Sequence, residues 1–274
     1  MTTSSSSAET PDHRSPTAAW RFILATDLDG TFLGGSEDDR KALYGALERN
    51  RDRLGLVFVT GRDPEFIEGL CADGRVPWPD FVVGDVGTTI AEVVPAPGGK
   101  RVRPIPVLEQ AIAELWNNAA PKVRARLNGH PGLQEQTEQA KPFRHRLSYH
   151  LDPAAYDGRA EDLVVELGLD ALISDNRYFD VLPKGVSKGP SLIRLVRHLG
   201  LDRDRVLVAG DTLNDLSMFK VGLHGVAVGN SEAALIEGLG ASDPRIHRAK
   251  AHGAGGILEA VAALNLFDFS LASC

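Results

Sequence analysis

Residues 23–31 read Ile-Leu-Ala-Thr-Asp-Leu-Asp-Gly-Thr, an apolar run that ends in two carboxylates and a glycine. The apolar part is typical of a buried strand, and the glycine marks a turn behind it. We therefore expect Asp27 and Asp29 on a loop at the carboxyl end of the strand, where open α/β sheets bind ligands. Paired carboxylates allow one acid to attack or to hold a metal while the other transfers protons. The stretch predicts an α/β fold with a reactive acidic pair.

Strand and helix patterns alternate on both sides of a dissimilar middle segment. The strand patterns are nearly all apolar, as in strands that are covered on both faces. This alternation predicts a doubly wound, Rossmann-like parallel sheet. The predicted strands cover 21–26, 54–60, 80–84, 205–210 and 223–228, and the predicted helices cover 37–50, 63–72, 187–199, 214–220 and 231–238.

The middle segment opens with a bend rich in proline and glycine at residues 95–99. Its make-up is that of an α+β insert on an α/β core. We expect a disordered tail over 1–19, a core domain formed by 20–94 and 183–274, and a cap domain over 95–182. In the cap, helices are predicted over 105–118 and 154–168, and strands over 144–151, 171–174 and 178–182.

Composition narrows the class of protein. The 274 residues are 43% hydrophobic and 24% charged, as in ordinary globular proteins, and the formal net charge of −7 argues against nucleic acid as the main partner. Two cysteines form no disulfide framework or metal-binding pattern. No apolar run approaches the roughly 18 residues of a membrane span, and residues 1–19 lack the apolar region of a signal peptide. We expect a cytoplasmic protein.

Two further signals suit the binding of a phosphate. A buried-strand pattern ends at Thr60, Gly61 and Arg62, where a hydroxyl and free backbone N–H groups can hold phosphate oxygens. Lys184 and Lys188 precede an amphipathic helix, and a lysine at a helix start favours a negative partner. Lys188 is the better candidate because it is closer to the helix and has small neighbours.

A fourth signal is the sequence Val-Ala-Gly-Asp-Thr-Leu-Asn-Asp at residues 208–215. Helix capping explains Asn214 or Asp215, but it does not also explain Asp211. Oxygen ligands of this kind point to a hard cation, and Mg²⁺ typically takes one or two carboxylates together with phosphate and water.

Together the four signals resemble, in order and position, the four motifs of the haloacid dehalogenase (HAD) superfamily. The resemblance covers almost the whole chain after residue 20. It implies phosphoryl transfer with Asp27 as the nucleophile and Asp29 as the general acid and base. It also implies phosphate or substrate contacts and a Mg²⁺ site. The implied phosphate- or substrate-binding residues are Thr60, Gly61, Arg62, Lys188 and Asn214, and the implied metal ligands are Asp27, Asp29, Asp211 and Asp215.

The spacing of the motifs narrows the resemblance. Only 31 positions separate Asp29 from Thr60, too few for a cap, whereas 128 separate Thr60 from Lys188. HAD proteins with this arrangement look like the type IIB, Cof-like sugar phosphatases with a C2B-type cap. Finer similarities point to the sucrose-phosphate phosphatases. The segments that carry them are 80–90, 148–153, 180–183 and 254–260.

This resemblance implies a Mg²⁺-dependent phosphatase that hydrolyses sucrose 6-phosphate or a related glycosyl phosphate through an aspartyl-phosphate. The implied protein is a monomer or weak homo-oligomer without nucleic-acid or membrane partners. Alternatives are a HAD-type phosphomutase resembling phosphomannomutase, and a phosphatase of trehalose 6-phosphate, mannosylfructose phosphate or another small phosphorylated metabolite. A non-catalytic phosphatase-like domain is disfavoured because the acids of the motifs are all present.

The cap is expected to recognise the sugar. His145 and His150 flank a predicted cap strand together with Arg144 and Arg146. A sugar contact is one interpretation of these residues, but a solvated strand face is favoured. Lys141 has the same two interpretations.

Overall fold

The computed structural model describes residues 16–137 and 143–269. Lys141 and residues 1–15 of the predicted tail lie outside the described residues, whereas Pro16–Ala19 form a short helical turn. The strands are β1 Phe22–Thr26, β2 Leu54–Val59, β3 Phe81–Gly84, β4 Thr89–Ala96, β5 Gly99–Pro104, β6 Leu133–Glu135, β7 Leu147–Leu151, β8 Leu169–Ser174, β9 Tyr178–Pro183, β10 Val206–Gly210, β11 His224–Ala227 and β12 Ile246–Arg248. The helices are α1 Glu37–Arg49, α2 Pro64–Cys71, α3 Pro106–Trp116, α4 Ala120–Leu127, α5 Ala160–Glu166, α6 Lys188–His198, α7 Leu216–Phe219, α8 Ala233–Leu239 and α9 Gly253–Ala263.

The larger of two sheets has eight strands in the order β12-β11-β10-β1-β2-β3-β4-β5. Its strands run parallel from β12 to β3, and β4 and β5 add an antiparallel hairpin at one edge. The chain leaves β1 for β2 on one side and later returns to β10 on the other. The carboxyl end of β1 is therefore a topological switch point, where such sheets bind ligands. The predicted doubly wound fold is confirmed.

The central strand β1 is buried on both faces of this sheet. Its alternate residues Phe22 and Leu24 belong to a core cluster that includes residues of α1 and α9. Ile23 and Ala25 belong to the opposite cluster, which includes residues of α6. This period of two is the geometry of a strand, and it explains why the run at residues 23–26 carries no polar side chain except Thr26.

The smaller sheet is antiparallel, with the order β6-β7-β9-β8. It has its own core, in which Leu147 and Phe179 of the sheet pack with Val123 of α4 and Val164 of α5. The predicted start of the cap at residue 95 needs correction, because β4 and β5 pair within the larger sheet. The elements that form the smaller sheet and its helices follow Pro104.

Element bounds differ from the prediction where turns interrupt the helical pattern. The helix predicted over 154–168 begins at Ala160, because backbone N–H groups of Ala155 and Tyr156 donate to the Asp152 carbonyl in a turn. The helix predicted over 214–220 is a tight turn at residues 213–215 followed by α7. Helices α4 and α9 and strands β4, β5, β6 and β12 were not among the predicted elements.

Candidate active site

Lys188, the first residue of α6, is the centre of a buried polar cluster at the carboxyl end of β1. Its side chain is 1% exposed. The Nζ donates to Asp27 Oδ1 and to Asp215 Oδ1 at 2.6 Å each, and to Asn214 Oδ1 at 3.0 Å. A lysine can be buried this deeply only when its charge is paired. The structure thus brings together Asp27 and three residues from the carboxyl half of the chain.

Asp215 connects this cluster to the turn that follows β10. Its Oδ2 accepts the backbone N–H groups of Asp211 at 3.0 Å and Thr212 at 3.1 Å. Its other carboxylate oxygen accepts from Lys188. Asp215 is fully buried, and both of its carboxylate oxygens accept hydrogen bonds. It therefore fixes the position of Lys188 relative to the turn after β10.

Three acids are close enough to share a metal ion. One carboxylate oxygen each of Asp27, Asp211 and Asp215 lies within 4.8 Å of the others. Thr31 Oγ1 donates to Asp211 Oδ1 at 2.6 Å and orients it. A Cβ at Gly30 would lie 2.1 Å from Asp211 Oδ2, so the close approach of these two loops requires glycine there.

The electrostatics of the cluster favour a cation. Burial raises the pKa of Asp27; Lys188 partly offsets this, and the neighbouring carboxylates add to it. Burial also raises the pKa of Asp211, to about 6. Burial alone would lower the pKa of Lys188, but Asp215 and Asp27 outweigh it and raise this pKa above its usual value. The three clustered carboxylates have one ammonium nearby, which is bonded to Asp27 and Asp215, and an oxygen-only donor set of this charge fits a hard divalent metal.

Asp29 and Arg62 lie apart from the three acids. Arg62 Nε donates to Asp29 Oδ2 at 3.0 Å, and the two side chains are 50% and 58% exposed. The structure therefore does not place Asp29 among the clustered carboxylates, although it was one of the four predicted metal ligands. Buried Thr60 is next to this pair, and its Oγ1 accepts the Arg62 N–H at 3.1 Å.

A cavity of about 480 Å³ lies above these groups, between the two sheets. The residues predicted for catalysis or for phosphate and substrate binding all line it, whereas Asp211 and Asp215 are not part of the lining. Its opposite wall comes from the strands of the smaller sheet and the residues next to them, and it is mostly polar. The predicted residues in the lining are Asp27, Asp29, Thr60, Gly61, Arg62, Lys188 and Asn214, and those of the opposite wall are Gln136, Arg146, Ser148, Ser174, Asp175, Tyr178 and Asp180.

Comparison with known proteins identifies the family of the chain. A family model described as sucrose-6F-phosphate phosphohydrolase matches residues 20–265. The chain belongs to this family. The match extends over both sheets and confirms the predicted HAD superfamily and its sucrose-phosphate phosphatase branch. Sucrose-6F-phosphate phosphohydrolases are phosphoric monoester hydrolases, which confirms the predicted class of enzyme.

Individual relatives within and near this family differ in name and length. The glucosylglycerol-phosphate synthase of Pseudomonas anguilliseptica is 40% identical over 240 residues, which are 87% of this chain but 30% of that protein. The mannosylfructose-phosphate phosphatase of Agrobacterium fabrum is 31% identical over 246 residues, or 86% of this chain and 94% of that protein. The sucrose-phosphatase of Synechocystis sp. PCC6803, solved with sucrose and phosphate, gives a TM-score of 0.77 at 27% identity, over 90% of this chain and 98% of that one.

Sequence reasoning missed most of the wall that the smaller sheet contributes. The prediction of a solvated strand face is wrong for Arg146, which is buried and lines the cavity, and Ser148, for which no role was predicted, is also buried there. His150 is exposed, and His145 bonds Glu109 at 2.7 Å. The signal that was available is the alternation through 144–151, which places residues 146 and 148 on one face.

Among the described residues, no helix is both long and apolar enough to cross a lipid bilayer.

Proposed function

We propose that this chain is a Mg²⁺-dependent phosphatase that hydrolyses a glycosyl phosphate through a phosphoaspartate at Asp27. The observation that carries the proposal is the position of Asp27, beside buried Lys188 and at the floor of a cavity between two sheets. The floor supplies groups for phosphoryl transfer. The opposite wall supplies polar groups that suit the hydroxyls of a sugar.

The proposed reaction has two steps. Asp27 attacks the phosphorus and the bond to the sugar oxygen breaks, while Asp29 donates a proton to that oxygen. Asp29 then accepts a proton from water, whose oxygen attacks the phosphorus and releases phosphate and the Asp27 carboxylate. The 58% exposure of the Asp29 side chain suits exchange of protons with water. Arg62 orients Asp29 in both steps through its bond to Oδ2.

Lys188 and Thr60 would bind the oxygens of the phosphoryl group. The charge on these oxygens is where a preorganised site lowers the barrier most. Asn214 and Asp215 keep Lys188 in place before substrate arrives, since both accept from its Nζ. The lysine therefore needs little reorganisation during the reaction.

Asp27, Asp211 and Asp215 would hold the Mg²⁺. Their oxygens lie close enough, and burial, with a smaller contribution from the neighbouring carboxylates, raises the pKa values of Asp27 and Asp211, so that a bound cation would stabilise their charged forms. When bound, the cation offsets charge on the phosphoryl oxygens. Asp29 remains outside this set of ligands and is left free for proton transfer.

The substrate class follows from the cavity and from the relatives. A volume of about 480 Å³ is far larger than a phosphate group needs and falls within the roughly 300–1,000 Å³ of sites for small organic ligands. The names of the relatives suggest glucosylglycerol phosphate, mannosylfructose phosphate and sucrose 6-phosphate. We place glucosylglycerol phosphate first because that relative is 40% identical.

A substrate panel tests the proposal. Release of inorganic phosphate is measured with Mg²⁺ for the three glycosyl phosphates, for trehalose 6-phosphate and for phosphoglycolate, with the Asp27→Asn variant as control. We expect at least one glycosyl phosphate to exceed phosphoglycolate in kcat/KM by about 100-fold or more. Preference for phosphoglycolate would contradict the glycosyl assignment. Formation of a sugar phosphate isomer without free phosphate would instead identify a phosphomutase.

A further inference from the structure

The loop 85–88, which follows β3, supports the turn that carries Thr60. The Asp85 N–H donates to the Arg62 carbonyl at 3.0 Å, and the Val86 N–H donates to the Thr60 carbonyl at 3.2 Å. Both Asp85 and Val86 have left-handed backbones, with φ of 51° and 59°. This conformation is a true outlier for a β-branched residue and persists only where the surroundings enforce it. Such strain next to a reactive site points to a functional constraint on the loop.

The same loop contacts the start of α6. A Cβ at Gly87 would lie 2.4 Å from the carbonyl carbon of Ser187 and 2.9 Å from the backbone nitrogen of Lys188. Gly87 also has a φ of 102°, so only glycine suits this position. The loop therefore supports both sides of the phosphoryl site, the Thr60 turn and the backbone of Lys188.

The side chain of Asp85 reaches the smaller sheet. Its Oδ1 accepts from Arg146 Nη2 at 3.5 Å, and its Oδ2 accepts from Thr89 Oγ1 at 2.6 Å. Arg146 Nη1 in turn donates to Asp180 Oδ1 of β9 at 2.9 Å. The guanidinium carbon of Arg146 lies 3.9 Å from the centre of the Phe143 ring. One arginine thus joins an acid of the larger sheet's loop to an acid of the smaller sheet.

The ion pair between Arg146 and Asp85 is not explained by the stability of the fold. The side chains of Arg146 and Asp85 are only 8% and 13% exposed, and desolvation makes a buried ion pair weak evidence for stability. Burial raises the pKa of the Asp85 carboxyl even with Arg146 beside it. In the described part of the chain, Arg146 Nε is buried without a hydrogen-bond partner. Since an apolar contact would serve stability as well, the charges point to a role in the site.

We propose that Asp85 is a positioning residue that aligns the smaller sheet with the phosphate-binding turn. Its backbone supports the Thr60 turn, and its carboxylate holds Arg146, which lines the sugar side of the cavity. A leaving group that contacts both sheets is then presented to Asp27 in one orientation. This role rests on the proposed function, because it concerns a substrate whose sugar reaches the smaller sheet.

Asp85→Asn tests the role, with Asp80→Asn as its matched control. Asp80 lies at the other end of β3, where its Oδ2 accepts from Arg51 and from the Leu56 N–H. Both changes remove one carboxylate paired with an arginine. We expect Asp85→Asn to lower kcat/KM for glucosylglycerol phosphate by about tenfold or more, mainly through kcat, because misalignment affects the reacting geometry. Hydrolysis of p-nitrophenyl phosphate, which has no sugar, should change by less than about twofold.

Hydrogen exchange followed by mass spectrometry gives a readout that needs no substrate. Asp85→Asn should speed exchange in peptides that cover both 84–88 and 144–148, whereas Asp80→Asn should leave 144–148 unchanged. The role of Asp85 would be overturned if Asp85→Asn lowered kcat/KM equally for the two substrates or left it unchanged. It would also be overturned if exchange at 144–148 matched wild type. If wild type hydrolyses no glycosyl phosphate, the proposed function fails, and the exchange result still decides the link between the sheets.

Discussion

Replacement of Asp27 by asparagine should remove activity and yet relieve an electrostatic cost. Asp27 is 6% exposed, and its carboxylate shares Lys188 with Asp215. Burial raises its pKa above the ordinary value of 3.8, with Lys188 only partly offsetting the effect. A carboxyl with a raised pKa in the folded protein stabilises the fold below its unfolded pKa, and this contribution is lost as the pH rises toward the folded pKa. Asparagine does not ionise, so the variant escapes this loss.

The size of the effect follows from the shift of the Asp27 pKa, which burial raises from the ordinary value of 3.8 to about 8. A tenfold change in an ionisation constant is worth about 1.4 kcal/mol, so between about pH 5 and pH 8 we expect metal-free wild type to lose about 2–4 kcal/mol more unfolding free energy than Asp27→Asn. Denaturant unfolding in a chelator at several pH values measures the difference. Asp38→Asn, at an exposed position in the first turn of α1, is the control and should track wild type. Parallel pH curves for wild type and Asp27→Asn would refute the reasoning.

Three other perturbations test neighbouring parts of the account. Because protons compete with the cation, Mg²⁺ affinity should weaken as the pH falls below about 8, where burial places the pKa of Asp27, and further through about 6, the pKa of Asp211; calorimetry in two buffers should detect proton release, and a pH-independent affinity would count against it. Gly30→Ala should weaken Mg²⁺ binding by about tenfold or more, since its Cβ would lie 2.1 Å from Asp211, whereas Gly98→Ala, with a similar φ of 84° and open space, should bind normally. Asp175→Ala should raise KM for the glycosyl phosphate about fivefold but spare p-nitrophenyl phosphate; equal effects on both would argue against a sugar contact.

The residues at the floor of the site were predictable because the carboxyl ends of parallel strands lie at the same edge of a sheet. Asp27, Thr60 and Asp211 each follow an apolar strand pattern, and the carboxyl ends of adjacent parallel strands meet. Lys188 was distinguished from Lys184 by its place at the helix start, and the structure has Lys184 on the surface beside Asp170. These residues were therefore predictable from their positions at the end of a strand or the start of a helix.

The wall opposite the floor of the cavity was not predictable in the same way. Arg146 is buried because it meets Asp180, 34 positions away, and Asp85, 61 positions away. No period in the sequence encodes such contacts, since they depend on how the smaller sheet docks over the larger one. The predicted start of the cap is wrong for a related reason, because the bend rich in proline and glycine at residues 95–99 is the tip of the β4–β5 hairpin, with its turn at residues 97 and 98.

Trapping the covalent intermediate tests the central claim most directly. The enzyme is mixed with Mg²⁺ and glucosylglycerol phosphate, quenched, treated with borohydride to reduce any acyl phosphate, and mapped by peptide mass spectrometry. We expect reduction at Asp27, dependent on substrate and absent at Asp29. Labelling of Asp29 or Asp211 in its place, or turnover without any modified aspartate, would contradict nucleophilic catalysis by Asp27.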